Sequence, residues 1–272
     1  MTRIQRRSSY AAAITTTSLM LLAQGAAAHD TFLLPATWTT PPGTPLALQL
    51  TSGSSFPALD SGPTPDRIVA LGGQVLTSDG RAPVSLRVSG HSSSALQPRL
   101  SAAGAGEVTA GLSLAPRDID LQPDSVEHYF EEIRPSAGVR EAWAAQEHPV
   151  LRETYAKHAK VLLCATPCAP DDGKRAPVAL GHPLEFLPLG SPNEDGRRFR
   201  LLANGQPAID HPLNVWTADG EHAALRTNSS GEVSVRLEVA GPAMLSAVNL
   251  RPPTASDKRF QSDFATLTLL VP

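Results

Sequence analysis

"VREAWAAQEHPVLRETYAKHAKVLL", Val139–Leu163, is the stretch on which the fold reading turns. It holds no glycine, and good helix formers fill most of it. Leu151, Tyr155, His158 and Leu162 recur at helical spacing, while Glu153, Lys157 and Lys160 fall on another stripe. Pro149 suits the first turn of a renewed helix. Upstream, "PDSVEHYFEEI" (123–133) has the same texture, and "RPSAG" (134–138) separates the two. The pattern predicts a helical insert over residues 121–163, packed through its apolar stripe.

On either side the texture is β. Twenty-five prolines and twenty glycines cut the chain into short pieces, many of them alternating or β-branched. "PLALQLTSG" (45–53), "DRIVALGGQVLTSDG" (66–80), "PVSLRVSG" (83–90) and "GEVTAGLSLAP" (106–116) are strand-length runs bounded by turn residues. Asp79-Gly80 is a hairpin signal. Beyond the loop "CATPCAPDDGKRAP", strands resume from residue 180. There "NGQPAIDHPLNVW" and "LRTNSSGEVSVRLEVAGPAMLSAV" resemble transthyretin-like and carboxypeptidase-regulatory-like sandwiches. The expected fold is mainly β. Two antiparallel β-sandwiches of immunoglobulin or transthyretin type cover residues 29–120 and 180–272, with the helical insert between them and a loop linker at 164–179.

The front end reads as an address. Arg3, Arg6 and Arg7 precede an apolar, small-residue run from Tyr10 to Leu22, and Ala26-Ala27-Ala28 suits signal peptidase. Residues 1–28 are therefore expected to be a cleaved signal peptide, leaving a periplasmic chain that starts at His29. Cleavage leaves twenty basic against twenty-six acidic side chains, a formal charge of −6. Such a surface argues against nucleic acid or anionic lipid as the main partner. No later apolar run is long enough for a helical span, so no membrane insertion is expected after cleavage.

Taken in order, "AHDTFLLP" (28–35), "GSSFP" (53–57), "EHYFEEI" (127–133), "RETYAKHAKVLL" (152–163), "PLEFLP" (183–188) and "LRTNSSGEVSVRLEVAGPAMLSAVNL" (225–250) resemble one family of bacterial exported proteins. It is a domain-of-unknown-function family described as the periplasmic component of cobalt/nickel uptake systems. The resemblance covers essentially the whole processed chain. It implies a protein that handles a transition-metal ion, with the new N-terminal histidine as a ligand and a membrane metal transporter as partner. One departure is Asn249, where the resemblance leads one to expect histidine.

The chemistry of an N-terminal histidine agrees. Its α-amine and ring Nδ1 can close a six-membered chelate on one ion. The amine, with an ordinary pKa of roughly 8, loses its proton more easily than a lysine. Nitrogen donors of this kind suit nickel, cobalt and copper. His158, on the apolar stripe, and His128, beside Glu127, Glu131 and Glu132, are candidates to complete the metal site; a core histidine and a solvated acidic face are their plainer readings. His91, His148, His182, His211 and His222 read as surface residues.

Cys164 and Cys168 lack a second cysteine pair, so a structural zinc site is not expected. In an oxidising compartment a disulfide is the favoured reading.

Catalysis has less to recommend it. The chain holds no G-x-S-x-G, no H-E-x-x-H and no phosphate-cradling loop. An N-terminal histidine could also serve a copper-dependent oxidative enzyme, and a metal-free adhesive or structural β-sandwich is a third reading.

Overall fold

The computed structural model describes residues 29–146, 150–168, 176–193, 196–220 and 222–272. The signal peptide read over 1–28, and His148 with the helix restart at Pro149, lie outside the described residues.

The chain is mainly β. In order the strands are β1 (Asp30–Pro35), β2 (Thr39–Thr40), β3 (Leu46–Gly53), β4 (Ile68–Thr77), β5 (Gly80–His91), β6 (Leu96–Ala102), β7 (Gly106–Leu121) and β8 (Leu151–Ala165). There follow β9 (Leu184–Asn193), β10 (Gly196–Ala203), β11 (Gln206–Pro207), β12 (Pro212–Trp216), β13 (His222–Arg226), β14 (Glu232–Val235), β15 (Gly241–Arg251) and β16 (Phe260–Val271). Helices α1 (Pro123–Ile133) and α2 (Ala137–Ala144) lie between β7 and β8.

The N-terminal runs form strands where the alternation put them. Ser78 and Asp79 span the tip of the β4–β5 hairpin, and Gly80 follows with φ +140°. One core lies between β1, β3, β5 and β6 on one side and β4, β7 and β8 on the other, built from Leu48, Leu50, Leu96, Leu100, Val108 and Val161 among others. A second core lies between the small sheet of β9, β10, β11 and β14 and the strands β12, β15 and β16, around Phe186, Phe199, Leu245 and Leu267.

The helical insert is shorter than expected. Helix is confined to α1 and α2, and Leu151–Ala165 is a fifteen-residue strand. β8 pairs antiparallel with β7 and parallel with β16, so a single sheet runs from one sandwich into the other. The misreading has a physical cause. A strand buried on both faces loses the polar–apolar alternation that marks a half-exposed one. In β8 the odd face carries Ala159, Val161 and Leu163 into the first core, while Leu162 on the even face enters the second. With Lys157, His158 and Lys160 also buried, nothing in the pattern repeats at two.

Such polar groups must be satisfied where they are. Lys160, 1% exposed, donates from Nζ to Glu185 Oε2 (2.9 Å), Phe186 O (2.8 Å) and Val178 O (3.3 Å). Glu185 also accepts from Leu180 N (2.9 Å) and Gly181 N (3.0 Å). Burial works to raise its pKa, but Lys160 and the two amides hold the carboxyl below its ordinary value. The pair pins segment 178–186 to the sheet.

Removing one partner strands the other charge. Lys160→Met should cost about 3–5 kcal/mol in denaturant unfolding, and Lys160→Met with Glu185→Leu clearly less than the sum of the singles. Additive losses would remove this pair from the account.

Candidate functional site

His29 and Asp30 enter the fold at the start of β1, and their position is held from several directions. Along one edge β1 pairs with β3 from Asp30↔Gly53 to Pro35↔Leu48. From β16, Thr266 Oγ1 donates to Thr31 O (2.7 Å) and Thr268 Oγ1 to Leu33 O (2.5 Å). Lys157 Nζ donates to His29 O (2.5 Å). That ammonium is buried, 5.5 and 5.4 Å from the ring centroids of Tyr155 and Phe264. Desolvation lowers its pKa to about 8, against the pull of the Asp30 charge.

Asp30 is itself buried, which pushes its carboxyl up to about 7. A hydrogen bond from Ser246 works against that rise, and the nearby Glu132 charge adds to it. Ser246 Oγ also accepts from Trp216 Nε1 (3.3 Å), so an indole, a hydroxyl and the Asp30 carboxyl form one chain.

This chain borders a cleft of about 370 Å³ lined by Asp30, Gly53, Ser54, Phe56, His128, Glu131, Glu132, Trp216 and Met244. The acidic wall belongs to α1. Val126, Tyr129, Phe130 and Ile133 sit at i, i+3, i+4 and i+7 and bury that stripe, which turns His128 and Glu131 outward along the cleft. Arg134, in the left-handed region at the helix end, donates to Leu213 O (2.7 Å) and Asn214 Oδ1 (2.6 Å) and so locks α1 to β12. The opposite wall is apolar: Phe56 and Met244 are buried, and Trp216 is half-buried with His222 stacked 4.4 Å away.

Of the sequence-read candidates His128 lines this cleft, and His29 is the residue before Asp30, which also lines it. His158 is elsewhere. Strand alternation puts it on the face of β8 opposite Lys157. There Nδ1 lies 2.8 Å from Ser113 Oγ and Nε2 3.2 Å from Asp263 Oδ1, so both ring nitrogens are already engaged. Asp263 also pairs with Arg251 (2.8 Å). His182, read as a surface residue, is buried with its ring 5.3 Å from His158, because Glu185 and Lys160 draw its loop inward. Cys164 and Cys168 are joined by a disulfide. Among the described residues no three His, Cys, Asp or Glu side chains come together as a metal cage.

Sequence reasoning missed Asp30, Lys157, Trp216, Met244 and Ser246. The motifs that carried the resemblance contain all of these except Trp216, and their convergence is a property of the fold. A family model described as "Domain of unknown function (DUF4198)" matches residues 26–251. The chain belongs to that family. No curated protein matches. Among solved structures, the D0-D1 domain of intimin is similar over 89% of this chain and 98% of that one, at 8% identity and a TM-score of 0.23. Among the described residues no helix is long and apolar enough to cross a membrane.

The buried histidine pair makes a pH prediction. Burial first, then the charge of His158, lowers His182 from 6.5 to about 4. Below pH 6.5 the unfolded chain takes up this proton and the folded one does not, so stability falls between pH 6.5 and 4, by roughly 3 kcal/mol in all. His182→Phe should flatten that limb in denaturant titrations, leaving the further loss at lower pH from Glu185 and Asp263, both held below their ordinary values. An unchanged limb would show that His182 is not its source.

Proposed function

We propose that this is an exported, periplasmic protein that captures or delivers nickel, cobalt or copper, passing the ion to or from a membrane metal transporter. The ion is cargo. His29, freed by cleavage after Ala28, grips it through its α-amine and Nδ1. His128 and a carboxylate of α1, Glu131 or Glu132, complete the set. His158, with both nitrogens occupied, has no part in this reading.

The observation that carries the proposal is convergence. "AHDTFLLP", "GSSFP", "EHYFEEI" and the "PAMLSA" of β15 are scattered over more than two hundred residues, yet each contributes to the walls of the same cleft. The available donors are imidazole, amine and carboxylate, a borderline mixture that suits these metals better than calcium or a thiolate-seeking ion. An acidic rim favours any cation. Lys157 holds the main chain of His29 in place, so the chelating residue is positioned before the ion arrives.

Adding one residue ahead of His29 turns the amine into a peptide nitrogen. Nickel or copper affinity, measured by calorimetry on the processed chain, should then drop by a factor of roughly a hundred, and His128→Ala should cost roughly tenfold. Equal affinity in the extended chain would discard the terminal chelate, as would mass spectrometry locating the processed end elsewhere than at His29.

A further inference from the structure

We infer that the cleft takes its metal as a small, neutral or cationic complex with a ring-bearing organic chelator, whose ring lies against Trp216. This rests on the metal-binding reading above and names the form of the cargo.

Size comes first. A cleft of about 370 Å³ holds about a dozen waters, far more than a coordinated ion displaces, and falls at the lower end of small-molecule sites. The apolar wall comes second. The half-buried face of Trp216, backed by the buried Phe56 and Met244, contributes nothing to a bare aquo ion, whereas an organic ring gains by covering it. Trp216 is prepared for this: its N–H is anchored on Ser246, and His222 backs the indole. Preorganisation lowers the cost of stacking.

Charge comes third. Glu131 and Glu132 line the cleft together with Asp30, so an anionic complex is opposed and a cationic one drawn in. The metal then bridges two partners, taking His29 and His128 on the protein side and keeping its chelator on the other.

The test uses the processed chain beginning at His29 and three probes: nickel alone, the one-to-one nickel–histidine complex, and nickel citrate. Calorimetry reads affinity and tryptophan fluorescence reads contact with the indole. Nickel–histidine should bind at least tenfold more tightly than nickel alone and quench fluorescence, while nickel citrate should not bind as a complex. Trp216→Leu should remove the tenfold gain that nickel–histidine has over nickel alone. Glu131→Lys, on an exposed helix face where folding is not at risk, should weaken nickel–histidine and admit nickel citrate.

The inference is overturned if histidine merely strips nickel from the protein, if the complex binds no better than the metal, or if Trp216→Leu weakens both probes equally. In each of those cases nickel alone still binds, and the metal-binding reading stands. If neither nickel nor its complexes bind, that reading fails and takes this one with it.

Discussion

An ammonium group inside a β-sheet must find acceptors for its hydrogens, and Lys160 finds them on Glu185, Phe186 and Val178. This one constraint organises the middle of the molecule. Because Lys160 sits in β8, the strand shared by both sandwiches, its partners bring segment 178–186 onto the shared sheet. The segment carries His182 beside His158, and Asp263 and Ser113 complete the polar seam. A buried ion pair of this kind is weak evidence for stability but specifies one packing. Here it holds segment 178–186 against the shared sheet.

The other face of β8 serves the candidate site. Lys157 is three residues from Lys160, and an odd spacing in a strand means opposite faces. Its ammonium rests over Tyr155 and Phe264 and holds the His29 carbonyl. Thr266 and Thr268, on the neighbouring strand β16, hold the Thr31 and Leu33 carbonyls farther along the same strand. The start of β1 is therefore gripped by buried side chains. On the reading we propose, rigid placement is what a chelate needs when its remaining ligands come from a separate element.

The cleft combines walls of different origin. Acidic residues come from the outward stripe of α1, whose inward stripe is core. Apolar residues come from the loop after β3 and from β12 and β15. Burial of Asp30 beside Glu132 raises its carboxyl to about 7, and Ser246 ties that group to the indole of Trp216. The acidic and aromatic walls are thereby linked through one hydroxyl.

Read alone, the residues determined the β class, the first hairpins, the helical stripe of α1, and the candidacy of His29 and His128. These are local matters, decided by alternation, turn chemistry and side-chain donors. Only tertiary structure decided that Leu151–Ala165 is a strand, since burial on both faces erases the period by which a strand is recognised. Only it decided that both ring nitrogens of His158 are hydrogen-bonded to Ser113 and Asp263, and that His182 is buried. The cleft was equally invisible. Asp30, Phe56, His128, Trp216 and Met244 are far apart along the chain, and what joins them is the pairing of β8 with β16, a contact between strands about a hundred residues apart.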